Sequence, residues 1–236
     1  MDEYIPAIQA SLRTQGYTRF SEERIQQVAF GGGELKTGVN TRWTFPNRVR
    51  SEAVVLAPSF LVYETSDYDV FETFVERLSA VIEVVADATK MDFAEQVGLR
   101  YVDLIRPAAG RDASDFLKDH VRGLSSEDLH AKVTGHQFMT QAQTDSGDLY
   151  VRSFEKSGRD FMPPDLVSTH LEFKPDPEQL EDETYRVLDI DHIAKREIEF
   201  ASAPIIEVLW TLHDISSTAF LAAVTEEAVG FWRKEG

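Results

Sequence analysis

The chain has 236 residues, no cysteine, and 41 Asp and Glu against 24 Lys and Arg, a formal net charge of −17. Without cysteine there is no disulfide framework, no thiolate-held zinc or iron–sulfur centre and no thiol nucleophile; with that charge, a phosphate backbone is repelled unless a local basic patch receives it. An apolar fraction of 42% with 28% charged residues suits a water-soluble fold, and the length is enough to bury roughly 70–75% of the unfolded surface without metal or disulfide support.

No apolar run approaches the ~20 residues of a membrane span, and Met1-Asp2-Glu3-Tyr4 is acidic where a signal peptide is basic. A cytoplasmic protein with no membrane contact is expected. Residues 4–15 read as a short helix with Ile5, Ile8 and Leu12 on one face and Gly16 as its stop. Glu23 to Phe30 alternates loosely and ends in Gly31-Gly32-Gly33, which lacks the following Gly-Lys-Ser/Thr of a phosphate loop and reads as a connector. Asn40–Phe45 and Val49–Leu56 read as a hairpin turning at Pro46-Asn47-Arg48, and Phe60–Glu64 as a third strand. Thr65 or Ser66 is placed to cap the next helix, with Asp67 and Asp69 in its first turn near the positive end of the helix dipole. Phe71, Phe74, Val75, Leu78, Val81, Ile82 and Val85 then recur at 3/4 spacing, which predicts a helix with one core-facing stripe. Glu95 to Ile105 is nearly continuous in apolar character and predicts a strand central in its sheet.

Residues 106–134 read as a polar bridge with helical pieces opening at Ser114 and Ser126. Strands are expected over His136–Thr144, Leu149–Phe154, Ser168–Phe173 and Tyr185–Ile190, with a turn at Asp145-Ser146-Gly147-Asp148. Ser202 and Thr225 are placed to cap two closing helices. Strands and helices come in runs rather than in regular alternation, so the fold class is α+β, antiparallel sheets packed by long helices. One compact unit over 1–236 is expected, with a weak internal duplication of a strands-then-helix unit in halves 20–105 and 135–236, joined by the bridge.

The order Arg42-Trp43-Thr44-Phe45-Pro46-Asn47, Phe60-Leu61-Val62-Tyr63-Glu64-Thr65, Tyr68, Phe71, Phe74, Gly98-Leu99-Arg100-Tyr101, Asp189-Ile190-Asp191 and Leu212-His213 resembles a sporadically distributed prokaryotic family of conserved hypothetical proteins with no assigned chemistry. The resemblance covers most of residues 23–232. It departs at the N-terminus, where a helix replaces the family's usual strand, and at Asp103, where the family tends to carry Asn. Sporadic distribution implies a defence-type or toxin-neutralising gene cassette.

The candidate binding residues are Arg100, Tyr101, Glu64, Asp103, Asp189 and Asp191. On an alternating strand Arg100 shares a face with Gly98, Val102 and Leu104, and a guanidinium there needs a partner, Glu64 or Asp103 being the nearest candidates. The alternative is an anion-binding arginine in a cleft. Asp189 and Asp191, at i and i+2, project from one face of a strand end; they are either solvated there or ligands for a hard cation such as Mg²⁺. The six histidines form no His-x-x-x-His pair, and no Gly-x-Ser-x-Gly elbow is present. No catalytic residue, metal ligand or cofactor is assigned. The expected function is a non-enzymatic protein-binding module whose acidic surface meets a basic protein, with a homodimer as the other assembly in view. The alternatives are a metal-dependent enzyme or binder acting on a phosphorylated or anionic small ligand through Asp189, Asp191 and Arg100, and a nucleic-acid binder using Arg42, Arg48 and Arg50, which the charge disfavours.

Overall fold

Two four-stranded antiparallel sheets organise the chain, with α-helices following the strands of each, and the fold class is α+β as expected. The computed structural model describes residues 1–31, 34–124, 126–166, 170–174 and 177–235. Where one unit is expected from the sequence, the contacts divide the chain into two: Met1–Asp92 with Ser168–Lys174 and Phe200–Ala203, and Phe93–Val167 with Pro175–Glu199 and Pro204–Gly236.

The first unit begins with α1 (Ile5–Thr14), whose Ile5, Ile8 and Leu12 are buried as the spacing predicts, and Gly16 supplies the positive φ that ends it. Strands β1 (Ser21–Gly31), β2 (Glu34–Pro46), β3 (Glu52–Ala57) and β4 (Phe60–Thr65) pair in sequential order. The loose alternation from Glu23 is therefore a paired strand, with Glu23 opposite Arg42, while Gly32 and Gly33 lie outside the described residues. The loop after β2 runs longer than the three-residue turn expected. The Asn47 side chain accepts the Ser51 N–H at 3.0 Å, and Arg50 takes a left-handed φ of 59°, which delays β3 to Glu52.

Helix α2 (Phe71–Thr89) buries Phe71, Val75, Val81, Ile82 and Val85 of the expected stripe. It starts later than the polar cap suggests. Val70 is its N-cap residue, without a side-chain cap bond, and Asp67 and Asp69 precede the helix. Thr65 Oγ1 is already used in the turn, accepting the Asp67 N–H and donating to the Ser51 carbonyl, both at 3.1 Å.

The second unit holds β5 (Phe93–Ile105), the short helices α3 (Asp119–Arg122) and α4 (Ser126–Leu129), β6 (Gln137–Thr144), β7 (Gly147–Ser157) and β8 (Thr184–Glu199). Helix α5 (Ser202–Ala223), all but its first two residues, and α6 (Glu226–Glu235) also belong to it. Its sheet order is β5-β8-β7-β6. Strand β5 is thus an edge strand, not the central one, and it lies in a different sheet from β1–β4. The centre belongs to β8, which is buried without a break from Tyr185 to Ile190. The apolar run in β5 reflects burial of alternate residues such as Val97 and Leu99, while Tyr101 to Leu104 remain half-buried. Gly147 starts β7 at a positive φ where an added Cβ would collide with the Ile193 carbonyl, so the β6–β7 turn sits against β8 only with glycine. Residues 170–173, expected within a strand, form none; Ser168 and Thr169 are not described. Thr225 caps α6 as predicted, its Oγ1 accepting the Ala228 N–H at 3.1 Å. The core of this unit joins Phe116, Leu117, Leu188, Ile190, Val224 and Ala228, with Phe116 stacked 5.7 Å from Phe231. Among the described residues no helix is long and apolar enough to cross a membrane.

Candidate functional site

Strand alternation places Asp189 and Asp191 on one face of β8 and His192 on the other. Antiparallel pairing sets Arg100 of β5 opposite Asp191, and Arg152 of β7 opposite Asp189. Three adjacent strands therefore bring two guanidiniums and two carboxylates onto one face. Arg100 donates through Nε and Nη2 to the two oxygens of Asp189, both at 2.8 Å. Arg152 donates to Asp189 at 2.8 Å and to Asp191 at 3.2 Å, and its guanidinium lies 5.5 Å over the Tyr150 ring. A fifth member comes from the 3₁₀ turn Pro164–Leu166. Asp165 takes the outer edge of Arg100 as a second bidentate fork at 2.6 and 3.1 Å. Asp189 is fully buried, the arginines are 18% exposed, and Asp165 is 61% exposed.

Burial works against the Arg100 charge, but its hydrogen bonds to Asp165 and Asp189 outweigh that and raise its pKa. The bond from Arg100 holds Asp165 below the usual carboxylate range. Asp191 is pushed up by desolvation, which the charges of Arg100 and Arg152 only partly offset. The buried carboxylate of Asp189 thus rests on two charge-assisted, forked partners, the arrangement in which an internal ion pair is tolerated.

Three of the six sequence candidates belong to this network. Arg100, Asp189 and Asp191 form it. The partners of Arg100 are Asp189 and Asp165, rather than Glu64 or Asp103. Asp189 and Asp191 do not stand at a solvent-facing strand end: β8 continues to Glu199, so both lie in the middle of the central strand. Glu64 is on β4 of the first unit. Tyr101 points to the opposite face of the second sheet, with its Oη 2.8 Å from His213 Nδ1. Asp103 shares that opposite side, and desolvation, together with the Asp189 charge, pushes its carboxyl up to about 7. His192 is buried there too, 2.9 Å from Thr144 Oγ1 and 3.3 Å from the Leu212 carbonyl.

Sequence reading misses Arg152 and Asp165. Arg152 had a signal: it alternates with Tyr150 and Phe154 on a strand, and an arginine on such a face must find an anion. Asp165 had none, since its turn is defined only by where the chain returns.

Chemically the network holds strands together. Both oxygens of Asp189 are engaged by guanidiniums, so a cation would have to displace them, and among the described residues no three His, Asp or Glu side chains converge as metal ligands. No hydroxyl stands beside a base within it. Comparison with protein-family models, with curated proteins and with solved structures finds no match.

Proposed function

We propose that the chain is a cytoplasmic protein-binding module without catalytic chemistry, and that it recognises a basic protein. The observation that carries this reading is a groove between α1 and α2 of the first unit, about 370 Å³ in volume. Ala7, Ser11, Ala80, Val84 and Ala88 give it small side chains, and Glu83 and Asp87 are its only charged lining residues. Small side chains let a partner's backbone or a long basic side chain approach closely, and two carboxylates without a competing cation favour Lys or Arg. The adjoining groove adds Glu76, with Arg77 beside it. The self-contained ion network in the second unit supports the same reading, because it occupies the arginine that an anionic ligand would need.

The test is affinity capture with the intact chain, followed by binding kinetics with the protein it recovers. A specific basic protein is expected, with its on-rate falling as salt rises and falling about tenfold in the Glu83→Lys, Asp87→Lys double variant. A partner indifferent to both changes removes the groove from the reading. Tight nucleic-acid binding at physiological salt, lost when Arg42, Arg48 and Arg50 are changed together, replaces the reading altogether.

A further inference from the structure

The two sheets present four edges: β1 and β4 in the first, β5 and β6 in the second. An edge strand exposes unpaired N–H and C=O groups, and proteins blunt such edges with charge, proline or bulges. Strand β1 carries Glu22, Glu23 and Arg24; β4 carries Glu64; β5 carries Glu95, Arg100 and Asp103 and a register shift at Ala94/Gln96. Strand β6, Gln-Phe-Met-Thr-Gln-Ala-Gln-Thr, has no charge, no proline, no glycine and no register shift. In a chain of net charge −17 it is, among the edges of the described residues, the one without such a guard.

Its outward groups can be assigned. The Glu155 N–H donates to the His136 carbonyl at 3.0 Å, which fixes the even-numbered residues as those bonded to β7. Gln137, Met139, Gln141 and Gln143 then direct their N–H and C=O groups away from the sheet. Their side chains are all exposed, Met139 at 61%. Phe138 and Ala142 point to the other face and pack on the core of the unit, so the strand is held straight and in fixed register.

We propose that β6 pairs antiparallel with the β6 of a second copy, making one continuous eight-stranded sheet about a two-fold axis at Thr140. The outward residues allow the pairs Gln137 with Gln143 and Met139 with Gln141, each in hydrogen-bonded register. The two-fold axis sets residue 140 against its own copy, where a charge would face its like at a cost, and Thr140 carries none. Here Gln137 faces Gln143, whose amides both donate and accept, Met139 faces Gln141, and Phe138 comes opposite the small Ala142. The flanks also match: the turn residue Asp145 falls opposite Gly135, and Thr144 opposite His136. A foreign basic strand would find no carboxylate on β6 to select it, whereas the second copy needs only the absence of charge that β6 shows.

Sedimentation of the full chain tests this against the basic-partner reading, because the two have opposite salt dependence. Two acidic copies repel, so the dimer tightens as ionic strength rises from ~50 to ~300 mM and screening shortens; capture of a basic protein weakens over the same range. Two variants probe the edge. Gln141→Pro removes an outward N–H that the β7 ladder does not use, a position edge strands tolerate, and Thr140→Lys places two like charges on the axis. Each is expected to weaken dimerisation at least about tenfold while leaving circular dichroism, and melting at concentrations where the parent is monomeric, unchanged; the Glu83→Lys, Asp87→Lys variant, whose net charge is less negative, is not weakened. The wild-type amides of Gln137, Met139, Gln141 and Gln143 should exchange slowly at concentrations where the dimer forms and quickly on dilution. A monomer at every salt, a dimer indifferent to both β6 variants, or a dimer that weakens with salt overturns the proposal.

Discussion

Asp103 pairs with Leu188 in the β5–β8 ladder, and its carboxyl is desolvated on the α5 side of the sheet with the charge of Asp189 nearby. Both effects favour the neutral form and move its pKa from the ordinary 3.8 to about 7. A raised carboxyl pKa means that the unfolded chain releases this proton first, so the group contributes full stability below about pH 4 and loses it as pH rises toward 7. Above that the penalty is constant, of the order of 4 kcal/mol. Asp191 is shifted in the same direction and Asp165 in the opposite one, so the comparison must be with a variant rather than with pH alone. Asp103→Asn should be more stable than the parent at pH 8, with the advantage shrinking to nothing near pH 4, read as the difference in urea midpoint across pH. A constant difference at all pH values would show that Asp103 ionises in the fold as freely as in water.

At the scale of elements, what was legible from sequence divides by the range of the interaction. The stripe of α2 is a local period, and it was read correctly from Phe71 to Val85; its start was not, because Thr65 and Ser66 look like caps until the turn that uses Thr65 Oγ1 is known. The central position of β8 and the edge position of β5 depend on pairing across the chain, which no apolar run encodes. The ion network shows the same division. Arg100 stands out as a charge in an apolar strand, but its partner Asp189 is 89 residues away, and only the β5–β8 register joins them. For α2 the burial gradient gives a quantitative expectation. Ile82 is fully buried, so Ile82→Ala should cost about 2–5 kcal/mol in urea unfolding. Leu78 is only half-buried and Phe74 has partial cover from Tyr63 and Phe71, at 5.1 and 6.0 Å, so their truncations should cost less than that of Ile82. Equal losses at Ile82 and Leu78 would mean that the helix packs with a different face.

For the molecule as a whole, the charge of −17 is a surface property. In the interior of the second unit Arg100, Arg152 and Arg186 are matched by Asp189, Asp191 and Glu155, with Arg186 held 3.0 Å from Glu155, and Asp103 adds a carboxyl whose raised pKa leaves it only partly charged at pH 7. The surplus of carboxylates therefore faces solvent, where it keeps copies apart and also strains each folded copy through self-repulsion. Exposed ion pairs such as Arg24–Glu22 and Lys90–Asp87 pull the other way, but pairs of this kind contribute at most about 1 kcal/mol each and often nothing. Adding NaCl screens both effects, since the Debye length falls from ~30 Å at 0.01 M to ~8 Å at 0.15 M. Long-range repulsion among the surplus carboxylates acts across many residues and is relieved most by this change, while the buried Arg100–Asp189 fork is hardly touched. The melting temperature at pH 7 should thus rise over that range and then level off. It should rise least in a variant where several exposed Glu and Asp of α2 are changed to Gln and Asn. A melting temperature that falls with salt would show that attractive surface pairs dominate, and the repulsion invoked for the salt dependence of β6 pairing would lose its basis.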